Sequence, residues 1–306
     1  GVTAPPYLEL ARSELNKASN GMSCRTTLSS LKIAVMLGNL KMDPYEGMRK
    51  IAEMRVPGVH ISASGIFDPK GLDRPSRKKL LDRIMELGLE VSAISAWGGD
   101  VDLCESEGAE GNIEWAKHIL DLAVDMDTRI WQAHIGIIPR EKSSPRWHTL
   151  LRNVGEISKY AEDVGACLAM ETGPEPPTIV RTLLEAIGSE GLKVNYDPAN
   201  LVLWPALLIE GTKEKYDKEK ALREYMPVDG VKMLGRYVVH TPAKDAIVTT
   251  DGKPREVPLG QGWIDWPRYV KYLKEEGFNG YFAIERETGE DPMGDIMEAV
   301  GFLRGL

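Results

Sequence analysis

The chain has 306 residues, of which 42% are apolar and 27% are charged, a composition typical of a globular protein rather than a disordered, collagen-like or coiled-coil chain. The formal net charge of −8 disfavours non-specific binding to nucleic acid or to another polyanion. No apolar run approaches the roughly 20 residues that a membrane-spanning helix needs.

The first 30 residues show no basic segment followed by an apolar one, as an intact signal peptide would have. We expect residues 1–30 to be a poorly ordered N-terminal extension, and an export signal removed upstream stays an open alternative. Cys24, Cys104 and Cys167 are widely spaced and form no CxxC motif. We therefore expect three free thiols and a cytoplasmic location.

From residue 31 onward, short apolar runs that predict strands alternate with longer amphipathic segments that predict helices. The strand runs lack strict alternation, as expected for parallel strands that are buried on both faces. The predicted strand–helix pairs are, in chain order, Lys32–Leu37 with Pro44–Met54, Val59–Ser62 with Arg74–Leu87, Glu90–Ser95 with Ile113–Met126, Arg129–Ile135 with Pro145–Val164, Ala166–Met170 with Thr178–Ile187, Leu192–Tyr196 with Leu201–Tyr225, Gly235–Val239 with Trp266–Glu276, and Tyr281–Ile284 with Asp291–Leu303.

Eight such units between residues 31 and 306 predict a single-domain α/β protein, a (β/α)₈ TIM barrel. A doubly wound open sheet is the alternative, and it would carry a glycine-rich phosphate loop after its first strand. The corresponding segment, Gly38–Asp43, has one glycine and no GxGxxG pattern. The sequence therefore favours the barrel.

The last four predicted strands are each followed by a side chain of a type that can bind a metal ion. Glu171 follows strand five, Asp197 strand six, His240 strand seven and Glu285 strand eight. Functional residues of a TIM barrel lie at these strand ends, and carboxylates with one imidazole suit Mn²⁺, Mg²⁺, Co²⁺ or Zn²⁺. Taken singly, each residue has an ordinary structural explanation, such as a helix cap or a packed histidine. The recurrence at four matching points favours a metal site.

The segments METG, NYDPANL, VVHTPAKD, VPLGQGWIDW and IERE resemble motifs of the xylose isomerase-like TIM barrels, the sugar phosphate isomerase/epimerase superfamily. The resemblance spans about residues 31–306. It implies one divalent ion, for which we expect Mn²⁺, bound by Glu171, Asp197, His240 and Glu285. It also implies that Glu171 and Glu285 act as the acid/base pair on a sugar, through a metal-stabilised enediolate.

The expected function is thus a sugar isomerase or epimerase with a small sugar or keto-sugar as substrate. A dehydratase or a β-eliminating lyase acting on a keto-sugar, keto-glycoside or inosose is the main alternative. A non-catalytic subunit and an AP endonuclease are further alternatives, although the chain has only five histidines for a three-metal nuclease site. We expect neither a nucleic acid nor a membrane partner. The family resemblance is compatible with a homo-oligomer.

Four residues near the strand ends are candidates for substrate binding: His134, Asn200, Trp97 and Lys244. Asn200 stands where many ketose epimerases have a histidine, and no clear match to the epimerase arginine follows His240. Lys244 binds either substrate or its neighbour Asp245. The long segment Thr241–Asp265 is expected to form a hairpin that turns at Asp251-Gly252 and covers the barrel mouth.

Overall fold

The computed structural model describes residues 30–97 and 100–306. Within it, residues 31–306 form one compact unit. The predicted N-terminal extension lies outside the described residues, apart from Ser30. None of the described helices is both long and apolar enough to cross a membrane.

Eight parallel strands close into a barrel, which confirms the predicted TIM barrel and excludes the open sheet. The last strand of the barrel closes it by pairing with the first, with Tyr281 opposite Lys32. Strand side chains such as those of Val35, Val59 and Ile94 are fully buried, as strands covered on both faces require. The barrel strands are β1 (Lys32–Met36), β2 (Gly58–Ser62), β3 (Glu90–Ser95), β4 (Ile130–Ala133), β5 (Cys167–Glu171), β6 (Leu192–Asn195), β7 (Val238–Ala243) and β10 (Tyr281–Ile284).

Helices follow the strands and cover the outside of the barrel. Several begin at an Asp or Ser whose side chain accepts a backbone N–H of the first turn, with proline one or two positions later: Asp43, Asp73, Ser144, Asp265 and Asp291. The helices are α1 (Pro44–Glu53), α2 (Arg74–Glu86), α3 (Ala109–Asp125), α4 (Pro145–Val164), α5 (Pro177–Ile187), α6 (Asn200–Leu207), α7 (Lys218–Tyr225), α8 (Val231–Leu234), α9 (Trp266–Glu275) and α10 (Pro292–Arg304).

The predicted single helix Leu201–Tyr225 is wrong, because the chain there forms α6 and α7 with a loop between them. Pro205 lies inside α6 and provides no N–H to the helix, and Gly211 turns the chain with φ 76°. Asp217 then accepts the N–H of Lys220 and starts α7.

The seventh strand begins and ends later than predicted. Residues Gly235–Tyr237 form a short 3₁₀ helix, and β7 runs through Ala243 instead of ending at Val239. Pairing with β10 fixes these limits, with Thr241 opposite Phe282 and Ala243 opposite Ile284. His240 therefore lies inside the strand rather than after it.

The predicted hairpin is confirmed, whereas its expected position over the barrel mouth stays a prediction. Strands β8 (Asp245–Val248) and β9 (Pro254–Val257) pair in antiparallel fashion, and Gly252 adopts φ 82° in the turn between them. Residues Thr241–Ala243, which were expected to belong to the hairpin segment, are part of β7.

Candidate active site at the mouth of the barrel

Three carboxylates meet at the C-terminal end of the barrel. Glu171 is the last residue of β5, Asp197 follows β6 by two residues, and Glu285 comes directly after β10. One oxygen of each lies within 4.8 Å of the others. Asp197 is fully buried, and its Oδ2 atom has no hydrogen-bond partner in the described residues. A cluster of buried carboxylates with an unpartnered oxygen fits a hard divalent cation.

The Glu171 carboxylate is held by side-chain amides. The Asn200 Nδ2 atom donates to Oε1 at 2.8 Å, and the Asn195 Nδ2 atom donates to Oε2 at 3.2 Å. Gln132 also donates to Oε2, and the His134 Nε2 atom lies 3.6 Å from Oε1. Burial, together with the nearby Glu285 carboxylate, raises the pKa of Glu171 to about 8. These donors fix the direction in which the carboxylate faces the pocket.

Sequence reasoning placed Gln132 at the end of strand four without giving it a role, and it missed Asn195, although a signal for both exists. Gln132 lies two residues before His134, and Asn195 lies two residues before Asp197. Because strand side chains alternate between faces, residues two apart point to the same side of the barrel wall. Gln132 and Asn195 are therefore on the same face of the chain as His134 and Asp197, which the sequence indicated as site residues.

Asp197 has a second, local role. Its Oδ1 atom accepts the backbone N–H groups of Ala199 and Asn200 at 2.8 and 3.1 Å, and so it orders the start of α6. Its backbone N–H donates to the Thr172 hydroxyl at 2.8 Å, which joins the ends of β5 and β6. Burial raises the pKa of Asp197 well above its ordinary value. Oδ1 thus caps the helix, and Oδ2 is the oxygen that a metal ion would bind, so the two interpretations of Asp197 are compatible.

The imidazole of His240 is not brought to the three carboxylates. Its Nδ1 atom lies 2.9 Å from Asn195 Oδ1, and its Nε2 atom lies 3.4 Å from Ser92 Oγ. The ring also packs edge-on against His60, with the ring centroids 5.0 Å apart. Burial lowers the pKa of His240 well below its ordinary value, so the ring is neutral.

The register of β7 explains this placement. His240 pairs with Asn195, the last residue of β6 and two residues before Asp197. Along β7, the next side chain on the same face as His240 is that of Pro242. The inward position of β7 that follows His240 towards the barrel mouth therefore carries a proline, whose side chain has no atom that can bind a metal ion. His240 lies one inward position deeper in the barrel.

Lys244 lies among the carboxylates instead. Its Nζ atom is 2.7 Å from Glu285 Oε1 and 2.8 Å from Glu287 Oε2. Burial alone disfavours the charged form, but Glu285, Asp197 and Glu287 together raise the pKa of Lys244 well above its ordinary value. The pairing of Lys244 with its neighbour Asp245, one of the two alternatives for this lysine, does not form among the described contacts. Asp245 accepts the Trp266 indole N–H at 2.9 Å.

The mouth of the barrel holds a pocket of about 760 Å³. All four predicted substrate-binding residues, His134, Asn200, Trp97 and Lys244, line it together with Glu171 and Glu285. Burial lowers the pKa of His134, so the ring is a neutral hydrogen-bonding group. The other lining side chains include two further indoles and several hydroxyl groups, from Trp115, Trp204, Ser62, Ser64 and Ser95. Indoles and small polar groups suit the alternating apolar faces and hydroxyl edges of a sugar.

Residues 48–306 match the family model described as xylose isomerase-like TIM barrel. The chain belongs to this family. The match confirms the resemblance that the strand-end motifs indicated, and it covers all of the predicted site residues.

One relative is L-ribulose-5-phosphate 3-epimerase UlaE of Shigella flexneri, 23% identical over 241 residues that cover 76% of this chain and 77% of the relative. Among solved structures, a xylose isomerase domain protein from Planctomyces limnophilus is similar with a TM-score of 0.71 and 23% identity, over 90% of this chain and 97% of that one. A xylose isomerase-like TIM barrel protein from Mycobacterium smegmatis, in complex with magnesium, has a TM-score of 0.67 and 15% identity, over 90% and 96%. The two structures share the fold of this chain.

Proposed function

We propose that this protein, with residues 31–306 as its single domain, is a divalent-metal-dependent sugar epimerase or isomerase. The observation that carries the proposal is the group of Glu171, Asp197 and Glu285, with its unpartnered Asp197 oxygen, at the floor of a sugar-sized pocket. The epimerase activity of the Shigella relative supports the reaction class. Among the described residues Cys104 and Cys167 are buried free thiols, which supports a cytoplasmic location; Cys24, the third thiol of that expectation, lies outside these residues.

The proposed metal ligands are the three carboxylates, without the imidazole that the sequence suggested. When bound, a divalent ion polarises a sugar carbonyl and acidifies the proton on the neighbouring carbon. Mn²⁺ or Mg²⁺ is the expected ion, because carboxylate oxygen is a hard ligand. We assign Asp197 the role of a ligand, because it is not among the described residues that line the pocket and its other oxygen orders the start of α6.

Glu171 and Glu285 are the proposed acid/base pair, because both carboxylates line the pocket. One carboxylate removes the proton from the carbon beside the carbonyl, and the other returns a proton to that carbon or to its neighbour. The amides of Asn195 and Asn200 hold Glu171 in its orientation, and Lys244 holds Glu285. These contacts hold both carboxylates at the pocket wall.

The substrate that fits best is an unphosphorylated sugar or keto-sugar. Three glutamates, Glu171, Glu285 and Glu287, line the pocket, and the ammonium group of Lys244 is already paired with two of them. The described lining residues include no arginine. A phosphate group would meet net negative charge there without a free cation to bind it. In this respect the proposed substrate differs from the sugar phosphate in the name of the Shigella relative.

A substrate screen in D₂O with NMR detection tests the proposal. The panel contains free ketoses, ketose 5-phosphates, 3-keto-glycosides and inososes, each with Mn²⁺-loaded protein. Deuterium incorporation beside the carbonyl of a free ketose, with formation of its epimer or isomer, is the expected result. Loss of water or of a glycosyl group would replace the proposal with elimination. No incorporation into any compound by Mn²⁺-bound protein would overturn it.

A further inference from the structure

The pocket contains its own positive charge. Lys244 is the only lysine or arginine among the described residues that line it, and 6% of its side chain is exposed. The ammonium group lies 2.7 Å from Glu285 Oε1, and Glu285 is also one of the three clustered carboxylates. A divalent ion and the lysine would therefore bind the same carboxylate.

We propose that Lys244 is a tethered counter-ion that competes with the divalent ion for Glu285 and thereby sets the ion affinity of the site. This inference rests on the proposed metal-dependent function. Like charges that are close together in a buried pocket repel strongly, because water screens them little. Each ion that binds must therefore displace or oppose the ammonium group.

The structure offers Lys244 a second partner when Glu285 turns to an ion. Glu287 lies 2.8 Å from the same Nζ atom, and its side chain is 58% exposed. The backbone N–H of Glu287 donates to Glu256 of β9 at 3.1 Å, and Glu256 also pairs with Arg286 at 2.7 Å. These contacts fix Glu287 within reach of the lysine. Lys244 can thus release Glu285 without losing every carboxylate partner.

The residues of the cluster also favour weak binding of a divalent ion. The inward side chain of β7 between His240 and the mouth is that of Pro242, which offers no ligand atom, and Lys244 directly after β7 places an ammonium group near the cluster. Three carboxylates opposed by one fixed cation bind a divalent ion more weakly than the same carboxylates would alone. We infer a site whose ion exchanges readily.

Direct Mn²⁺ titration, followed by the EPR signal of the free ion, measures this effect without depending on activity. Lys244→Met removes the charge at similar length, and we expect Mn²⁺ to bind at least about tenfold more tightly. Lys244→Arg keeps the charge and should stay within about threefold of the unaltered protein. Glu287→Gln should weaken binding, because it removes the alternative partner and one negative charge.

The matched control is Lys50→Met, which breaks the exposed Lys50–Glu53 pair of α1 outside the pocket and should leave the affinity unchanged. Opposite shifts in Lys244→Met and Glu287→Gln cannot come from general destabilisation, which would weaken binding in both. Should Lys244→Met not fold, Glu287→Gln carries the test, and unchanged or tighter binding there overturns the inference.

The outcomes separate the two proposals. Mn²⁺ binding by the unaltered protein, with equal or weaker binding by Lys244→Met, overturns the role of Lys244 and leaves the proposed function standing. Absence of Mn²⁺ binding in every protein overturns both. Binding by Lys244→Met alone supports the role of Lys244 most directly.

Discussion

Replacing Asp197 by asparagine should change ion binding and stability in opposite directions. The Oδ1 atom of Asp197 accepts two backbone N–H groups, and an asparagine carbonyl can accept the same bonds. The Oδ2 atom is buried without a partner beside the carboxylates of Glu171 and Glu285. Asp197→Asn puts a donor at this position and removes one of three clustered negative charges.

The magnitudes follow from these contacts. Two unit charges 4 Å apart interact by about 4 kcal/mol at an effective dielectric constant of 20, so loss of one ligand charge should weaken Mn²⁺ binding by about 10²–10³-fold. Without an ion, the change relieves carboxylate repulsion and supplies a partner for a buried polar atom, which is worth about 1–3 kcal/mol. The ion-free variant should therefore be more stable than the unaltered protein by about that amount.

The assay combines Mn²⁺ titration with urea unfolding in the presence of a chelator at pH 7.5. The matched control is Asp121→Asn, which changes a carboxylate outside the pocket that accepts the Tyr160 hydroxyl at 2.8 Å. That variant should keep the Mn²⁺ affinity of the unaltered protein. An Asp197→Asn protein that binds Mn²⁺ normally, or that loses stability without the ion, would refute the assignment of Oδ2 as a free ligand atom.

Three further predictions concern the same cluster. With Mn²⁺ bound, Glu171→Gln and Glu285→Gln should each lower turnover by about 10²–10⁴-fold, and full activity in both metal-loaded variants would leave the two residues as ligands alone. Pro242→His should place an imidazole beside Asp197 and raise the affinity for Zn²⁺ relative to Mg²⁺ by at least about tenfold in competition titrations, and unchanged selectivity would contradict the register argument. The raised pKa values of Glu171 and Asp197 mean that the folded, ion-free protein keeps protons that the unfolded chain releases above about pH 4. Its melting temperature should therefore fall between about pH 5 and 8 more steeply than that of Asp197→Asn, and parallel profiles would count against this linkage.

The barrel was predictable because its signals are local. Apolar runs mark buried parallel strands, and pairs such as Asp43-Pro44 or Ser144-Pro145 mark helix starts. Eight repeats of this pattern leave few architectures open. The break between α6 and α7 was not predicted, although Gly211, which adopts φ 76° there, is a local signal against one continuous helix.

The sequence by itself also determined that carboxylates follow strands five, six and eight, since Glu171, Asp197 and Glu285 come directly after recognisable apolar runs. Only the tertiary structure decided which residue of strand seven reaches them. The run before His240 does not specify where pairing with β6 begins, and pairing of Asn195 with His240 places the imidazole deep in the barrel and Lys244 at its mouth. Strand register depends on hydrogen bonds between distant segments, and a shift of two residues replaces one inward side chain by the next without altering the local pattern.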